Sequence, residues 1–207
     1  MNTAPRMETQ EESMGFNIPI SKILLFLLLA GLSAIFLAMT FSYLYQKVVN
    51  DLTPVRPPLL FLFNTIILVG TSYFMNQANR HYREDNTQKY TQALILTFVV
   101  SFLFMGAQVV AWQLMVNNGQ LISSDPATSY LYVISGLHIA HVVGGLPFLG
   151  YFIWVAKKRM KEPISVLIYF SDPSKLMNLK LLTLYWHFLD GLWIYLVLFF
   201  LALNLLG

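Results

Sequence analysis

The sequence predicts an all-α protein, an integral membrane bundle of five transmembrane helices. Of its 207 residues, 57% are hydrophobic and only 11% are charged, whereas a soluble domain has roughly a quarter of its residues charged. The apolar residues lie in long runs, which a soluble protein avoids and a bilayer requires. The basic residues are sorted between the loops that separate these runs, as in membrane proteins. These observations exclude a soluble globular domain.

The chain divides into a short polar tail and one membrane domain. Residues 1–19 contain Glu8, Glu11 and Glu12 and no apolar centre, so we expect a disordered cytoplasmic tail and no signal peptide. Residues 20–207 form the predicted transmembrane domain, with no evident repeat. The chain has no cysteine, which excludes disulfides, iron–sulfur clusters and thiolate-bound metals.

Each apolar run is long enough to form one helix across the bilayer, which takes about 20 residues. A helix is expected because backbone polar groups in lipid must be paired within the segment. The first run is apolar throughout, and the second follows Arg56-Pro57-Pro58, since prolines are tolerated in the first turn of a helix. Aromatic residues such as Trp112, Tyr130 and Trp154 lie near the ends of later runs, where rings prefer the headgroup layer. The predicted spans are Ile20–Tyr45, Pro58–Gln77, Tyr90–Val116, Ser129–Ala156 and Leu179–Leu206.

The basic residues predict the orientation of the bundle. With the N-terminus inside, eleven basic residues lie in the inner segments and two, Lys47 and Arg56, in the outer ones. Cytoplasmic loops carry an excess of Lys and Arg, so we expect a cytoplasmic N-terminus and a periplasmic C-terminus. The inner basic residues are Arg6, Lys22, Arg80, Arg83, Lys89, Lys157, Lys158, Arg159, Lys161, Lys175 and Lys180.

Three histidines and one aspartate lie deep inside the predicted spans, where ionisable groups are costly and normally face the bundle interior. His138 and His141 are three residues apart in the fourth span, and His187 and Asp190 are three apart in the fifth. Each pair therefore shares one face of its helix. At 1.5 Å per residue, His138 lies ~13 Å below the outer end of its helix and His187 ~12 Å above the inner end of its own. Because these helices run antiparallel, we expect both pairs at the same mid-bilayer level.

Three functions suit these four side chains. The first is a buried hydrogen-bond network that joins the fourth span to the fifth, with Asp190 orienting a histidine. The second is a metal or haem site, since imidazoles are good ligands; however, the sequence has no Glu-x-x-His pair for a di-iron centre, and Asp190 is the only carboxylate at that depth. The third is a proton relay, which would need further acidic groups to reach both aqueous sides. The residues favour the buried network and predict no metal site.

A second set of residues is typical of contacts between membrane helices or with lipid. Polar side chains in the second and third spans can form interhelical hydrogen bonds, Ser72 among them, and glycines beside the first histidine pair let another helix approach closely. The candidates for lipid binding or helix packing are Asn64, Thr65, Gln108, Trp112, Gly144, Gly145, Trp186 and Trp193.

Two segments resemble subunit III of the haem–copper oxidases. Residues 135–145, SGLHIAHVVGG, resemble that family's GxHxxHVxxG segment, and residues 185–193, YWHFLDGLW, resemble its YWHFxDxxW segment. Further matches are Arg56-Pro57-Pro58 followed by Asn64-Thr65 in the second span, and Gln108 with Trp112 in the third. The resemblance covers all five spans, and five spans suit the shorter bacterial members of the family.

The chain departs from this family at two carboxylates. Members usually carry a buried glutamate in the first span, near the position of Gly31 and Leu32, and often another where Ala111 stands. This chain has neither, so the comparison implies a structural and lipid-binding role rather than proton conduction through those groups.

The resemblance implies a non-catalytic subunit of an aerobic respiratory terminal oxidase in the bacterial plasma membrane. In this family the haems and copper belong to subunits I and II, so we expect no catalytic centre and no cofactor in this chain except bound phospholipid. The subunit would pack on subunit I, hold lipids, and support proton uptake and sustained turnover. Its further expected partners are a small subunit IV and a respiratory supercomplex, but no nucleic acid.

Cytochrome c is the electron donor that we expect for the complex. One alternative is subunit III of a quinol oxidase. An alternative of another class is a membrane redox protein whose histidines bind haem.

Overall fold

The structure is a computed structural model that describes residues 19–52, 55, 57–160 and 162–206, and these residues form helices and connecting loops with no strand. The six helices are α1 (Ile20–Asn50), α2 (Leu60–Arg83), α3 (Thr87–Asn117), α4 (Pro126–Arg159), α5 (Pro163–Ser171) and α6 (Pro173–Leu206). Helices α1, α3, α4 and α6 are long and apolar enough to cross a membrane. This confirms an all-α membrane protein, whereas the count of five spans and the orientation stay predictions. The predicted tail lies outside the described residues, apart from Pro19.

The second predicted span corresponds to α2, whose apolar character is diluted by polar residues. Asn64, Thr71 and Ser72 lie on this helix, and all three point into contacts with other helices. Sequence analysis does not predict α5, because its nine residues form an apolar stretch too short to cross the bilayer.

Local sequence signals set where the helices begin. The side chains of Asn86 and Asp125 accept hydrogen bonds from the backbone amides of Lys89 (3.0 Å) and Thr128 (2.8 Å), and so cap α3 and α4. Helices α4, α5 and α6 begin with proline, whose fixed φ and missing N–H suit the first helical position.

The Asp125 cap makes the stability of α4 depend on pH. Burial raises the pKa of Asp125, but hydrogen bonds from the Thr128 hydroxyl, the backbone and Ser124 outweigh burial and hold the pKa below its ordinary value of 3.8. A carboxyl whose pKa is lower in the folded state stabilises the fold above its ordinary pKa, and this contribution disappears as the pH falls through the folded value.

We therefore expect Asp125→Ala to lower the free energy of unfolding by about 1 kcal/mol at pH 7. The difference should shrink as the pH falls below 3.8. Thermal unfolding in detergent at a series of pH values measures both effects. Asp125→Asn keeps a capping oxygen and is the matched control; a loss of stability in Asn equal to that in Ala would contradict the capping role.

Four helices form a closed ring in the order α2, α3, α4, α6, since each packs on the next and α6 packs on α2. Helix α1 packs on the outside of this ring against α4 and α6, and α5 packs against α6. The centre of the ring holds one aromatic side chain from each helix: Phe61, Phe104, His138 and Trp193. The Trp193 ring centroid lies 5.5 Å from that of Phe61, 5.1 Å from that of Phe104 and 5.1 Å from that of His138.

Candidate functional site

The Asp190 carboxylate joins α6 to α2. It accepts hydrogen bonds from the hydroxyl of Thr71, at 3.1 Å to Oδ1 and 2.9 Å to Oδ2, and from that of Ser72, at 2.5 Å to Oδ2. Asp190 is only 4% exposed and Thr71 is fully buried. A buried carboxylate with these donors is a strong tie between two membrane helices, where polar contacts replace the hydrophobic driving force.

His187 extends this cluster towards the surface. Its Nδ1 lies 2.9 Å from Ser72 Oγ, and its Nε2 lies 3.0 Å from Asn76 Oδ1. Ser72 and His187 are half-buried, and Asn76 is exposed. The four residues therefore form one line, in the order Asp190, Ser72, His187, Asn76, that runs from the interior to the outside of the bundle.

The line can hold its protons in two ways without moving a heavy atom. When Asp190 is ionised, Ser72 donates to it and accepts a hydrogen bond from a protonated His187. When Asp190 carries the proton, it donates to Ser72, which in turn donates to Nδ1 of a neutral His187. In both cases His187 Nε2–H donates to Asn76. The arrangement can therefore transfer one proton locally between Asp190 and His187 through Ser72.

The first histidine pair does not join this network, which corrects the single network predicted from the sequence. His138 is fully buried in the central aromatic layer, and neither of its ring nitrogens has a hydrogen-bond partner among the described residues. His141 Nδ1 lies 2.7 Å from the carbonyl oxygen of Leu137 in its own helix, and its ring packs against Phe36 of α1. The physical reason is the order of the helices in the ring. The face of α6 that carries Asp190 packs against α2 and not against α4.

A tyrosine makes the direct hydrogen bond between α4 and α6. The hydroxyl of Tyr185 donates to the backbone carbonyl of His141 over 2.8 Å.

Each neighbouring pair in the ring is thus tied by side-chain hydrogen bonds. Asn64 donates to Gln108 between α2 and α3 (2.7 Å), and Trp112 donates to Ser135 between α3 and α4 (3.1 Å). Outside the ring, α1 is tied by Thr40 to Tyr195 (2.9 Å) and by Ser42 to Tyr130 (2.7 Å).

Removing the Tyr185 hydroxyl tests this tie with the loss of one atom. We expect Tyr185→Phe to lower the free energy of unfolding by about 1 kcal/mol, because the His141 carbonyl already has its helical partner and the ring stays in place. The midpoint of thermal unfolding in detergent measures the effect. Tyr45→Phe, an exposed position, is the control; equal behaviour of the two variants would contradict the role of the Tyr185 bond.

The predicted packing residues differ in the contacts that they make. Asn64, Gln108, Trp186 and Trp193 lie in the core, and Trp112 bonds α4 through Ser135. Thr65 donates to the Phe61 carbonyl of its own helix, so its hydroxyl does not join two helices.

The two neighbouring glycines have different surroundings. A Cβ placed on Gly145 would lie 2.7 Å from Tyr185 Cε1 and 2.9 Å from Trp186 Cζ3, whereas one placed on Gly144 would meet nothing within 4 Å. Gly145 therefore allows α4 and α6 to approach closely, and Gly144 faces open space.

Sequence reasoning missed Thr71 and Asn76 in the Asp190 cluster and Tyr185 as a hydrogen-bond donor. The sequence contained a signal for Thr71 and Asn76. Two hydroxyls in the middle of the second span lie at the depth expected for Asp190, and Asn76 follows Ser72 at the spacing of one helical turn.

A cavity of about 700 Å³ lies between α1, α4 and α6. Its wall is mostly apolar, with Leu25 and Leu28 from α1 and Phe148 and Phe152 from α4. Gly144 lines this cavity beside His141. Towards the cluster of basic residues at the end of α4, the lining includes Arg159, Lys175 and Tyr169.

Among the described residues, no three His, Asp or Glu side chains converge as metal ligands. The expected lack of a metal or haem in this chain stays a prediction.

Comparisons with known proteins connect this architecture to one family. The family model described as cytochrome c oxidase subunit III matches residues 18–203. The chain is 29% identical over 173 residues to cytochrome c oxidase subunit 3 of Synechocystis sp., covering 81% of this chain and 69% of that protein. It is 26% identical over 148 residues to the subunit 3 of Gallus gallus, covering 72% and 51%. For Thermostichus vulcanus the identity is 24% over 131 residues, covering 63% and 59%.

The chain spans about half the length of the animal relatives that it matches. Both histidine-containing segments, 135–145 and 185–193, lie inside the matched range. The family predicted from these segments is therefore confirmed, and with it subunit III of a haem–copper oxidase as the kind of protein. The chain belongs to the cytochrome c oxidase subunit III family.

Proposed function

We propose that the chain is the non-catalytic subunit III of an aerobic cytochrome c oxidase in a bacterial plasma membrane, where it packs on subunit I in a complex that also contains subunit II. The observation that carries a structural role is the use of the mid-depth polar groups. Asp190, Gln108 and Tyr185 each bind another helix of this chain. Polar side chains that are hydrogen-bonded between helices stabilise the ring. The redox chemistry would then belong to the neighbouring subunits.

The proposal includes five spans with the N-terminus in the cytoplasm. Helix α2 has 24 residues, which at 1.5 Å per residue gives roughly 36 Å, enough to cross the ~30 Å hydrocarbon core. Two of its polar side chains are covered, since Asn64 and Thr71 are fully buried against α3 and α6. A reporter that is active only in the periplasm, fused to the C-terminus, tests the orientation; an inactive fusion would reverse it.

The bound phospholipid is proposed to lie in the cavity between α1, α4 and α6. Its apolar wall suits acyl chains, and Arg159 and Lys175 provide cations for a phosphate headgroup. Basic residues near a membrane surface attract anionic lipid with about 1 kcal/mol each. The lipid would then fill the space between α1 and the ring, because α1 packs against α4 and α6 less extensively than the ring helices pack on one another.

The lipid proposal predicts that Arg159→Gln combined with Lys175→Gln weakens binding of phosphatidylglycerol about 30-fold, from ~2 kcal/mol for the two cations. Native mass spectrometry of the purified complex in graded phosphatidylglycerol measures the bound lipid. Lys180→Gln is the control, because Lys180 is exposed on α6 and does not line the cavity. Equal lipid retention in the double variant and the control would contradict this location.

The assignment as subunit III is tested by purifying the tagged chain from its native membrane. We expect it to bring down a haem-containing oxidase that oxidises cytochrome c, with the haem spectrum carried by the other subunits. A complex that oxidises quinol but not cytochrome c would replace the proposal by the quinol oxidase alternative. A Soret band stoichiometric with the isolated chain would favour the haem-binding alternative instead.

A further inference from the structure

Four buried side chains at the centre of the ring carry polar atoms that the protein does not pair. His138 of α4 and Trp193 of α6 are 0% and 1% exposed, and neither imidazole nitrogen nor the indole Nε1 has a partner among the residues that the structure describes. Asn64 of α2 and Gln108 of α3 are also fully buried. These two share one hydrogen bond, but Asn64 Oδ1 and Gln108 Nε2 have no partner within the described part of the chain. Each helix of the ring therefore contributes at least one unpaired atom.

The amide pair lies at the same level of the ring as Trp193. The Trp193 ring contacts Phe61 of α2 and Phe104 of α3, with centroids at 5.5 and 5.1 Å. Asn64 follows Phe61 by three residues and Gln108 follows Phe104 by four, so each amide is one helical turn from its aromatic neighbour on the same face. Because α2 and α3 run antiparallel, these two turns approach each other, and the 2.7 Å bond between the amides joins them.

His138 adds a donor and an acceptor to this layer. Its ring centroid lies 5.1 Å from that of Trp193 and 5.8 Å from that of Phe104. An imidazole buried among aromatic rings without a counter-charge is neutral, because burying an unpaired charge is far more costly than burying a neutral ring. One of its nitrogens therefore donates a hydrogen bond and the other accepts one.

Rearranging the two amides does not remove the unpaired atoms. Exchanging the oxygen and the nitrogen of both Asn64 and Gln108 keeps one hydrogen bond between them and still leaves one donor and one acceptor unpaired. Buried polar groups almost always have a partner, either protein or ordered water. A molecule that is not part of the chain is therefore expected in this layer.

We propose that this central layer, formed by Asn64, Gln108, His138 and Trp193, is a binding site for ordered water that joins all four helices of the ring. The unpaired atoms specify this ligand. N–H groups of Gln108, His138 and Trp193 need acceptors, and the Asn64 oxygen and one His138 nitrogen need donors. One water molecule accepts two hydrogen bonds and donates two, and a second water bonded to the first serves the remaining groups.

Other classes of ligand fit these atoms less well. A metal cation would find one imidazole nitrogen and one amide oxygen, and no carboxylate is among the unpaired atoms of the described residues. An anion would find only neutral donors, whose hydrogen bonds are weaker than those of charged groups. An apolar molecule would leave every one of these atoms unpaired. Buried water, in contrast, typically makes about three hydrogen bonds to groups of this kind.

The water would give His138 a function that an apolar ring cannot have. Phenylalanine could fill the aromatic layer, but only a side chain with polar atoms binds the same water as α2, α3 and α6. Bonds to a shared water fix the depth of α4 relative to the other three helices. This inference concerns the interior of the chain and does not depend on the proposed function.

Two substitutions at His138 test for the water by their order of stability. His138→Gln keeps a donor and an acceptor, whereas His138→Leu keeps a similar volume without a polar atom. With water in the layer, we expect the midpoint of thermal unfolding to be about 3 °C higher for Gln than for Leu, the effect of roughly one hydrogen bond in a chain of this size. In a layer without water the order would reverse, because Gln would bury an unpaired amide.

Leu149 provides the matched control for this comparison. It lies three turns further along α4 and is fully buried in the hydrophobic core. There Leu149→Gln should unfold at a lower temperature than Leu149→Met, which shows that the measurement detects an unpaired buried amide. Equal midpoints for the two His138 variants, or a higher midpoint for Leu, would overturn the water site.

A second measurement detects the water in the unaltered sequence. The full chain with ¹⁵N-labelled tryptophan is studied by solid-state NMR in lipid nanodiscs, and the indole signal of Trp193 is identified by its loss in Trp193→Phe. We expect magnetisation to pass from water protons to the Trp193 Nε1–H, although this side chain is only 1% exposed. Trp154, which is 46% exposed near the end of α4, is the positive control. Transfer to Trp154 without transfer to Trp193 would overturn the proposal.

Discussion

Asp190→Leu is expected to lower the free energy of unfolding by about 2–3 kcal/mol, the largest effect among the polar residues of the ring. Leucine has no acceptor, so the Ser72 hydroxyl loses its carboxylate and the α2–α6 tie is broken. Thr71 loses less, because its hydroxyl also lies 2.7 Å from the Leu68 carbonyl and can donate there. The expected loss of unfolding free energy is therefore smaller than it would be if both hydroxyls were left without an acceptor.

Asp190→Asn separates the loss of charge from the loss of the acceptor. Its amide oxygen still accepts from one hydroxyl, but the amide nitrogen cannot accept from the other, so we expect about half the effect of leucine. Leu198→Ala is the control, because Leu198 is 57% exposed on the same helix, and surface changes usually stay within about 0.5 kcal/mol. The midpoint of thermal unfolding in detergent and the fraction of chain retained in the complex measure the effect. Wild-type behaviour of Asp190→Leu would show that this cluster does not hold α2 to α6.

The sequence predicted the parts of the fold that depend on one helix at a time. Apolar run length marked the spans that became α1, α3, α4 and α6, since crossing hydrocarbon needs only length and composition. It missed α5, because nine apolar residues give no spanning signal. Helix caps at Asn86 and Asp125 moved the observed starts a few residues outside the predicted spans.

The site was harder to predict, because it depends on which helices are neighbours. Depth and spacing placed Asp190 and His187 on one inward face, but the partner helix could not be read from either quantity. The shared depth of the two pairs suggested α4 as the partner, whereas closure of the ring brings α2 to Asp190. His138 shows the reverse case: a titratable residue chosen for its depth packs as an aromatic ring against Phe104 and Trp193.

Gly145→Ala is expected to lower the free energy of unfolding by about 2 kcal/mol although it adds a single methyl group. That methyl would lie 2.7 Å from Tyr185 Cε1 and 2.9 Å from Trp186 Cζ3, well inside van der Waals contact. Neither ring can move aside easily. Tyr185 is held by its bond to the His141 carbonyl, and Trp186 is only 2% exposed. The two helices must therefore separate, and overpacking of this kind typically costs about 1–3 kcal/mol.

Gly144→Ala is the matched control, one residue away on the same helix. A Cβ there meets nothing within 4 Å, so the better helix propensity of alanine should leave stability unchanged or raise it by up to ~1 kcal/mol. Thermal unfolding of the two variants in the same detergent compares them directly, and equal midpoints would contradict the close α4–α6 contact at Gly145. Because Gly144 lines the cavity, a larger change, Gly144→Leu, should instead reduce bound phospholipid while the unfolding midpoint stays near that of the unaltered chain. A lower unfolding midpoint from the change at Gly145 and reduced bound phospholipid from the change at Gly144 would show that α4 has two different faces. One face packs within the ring, and the other lines the lipid cavity.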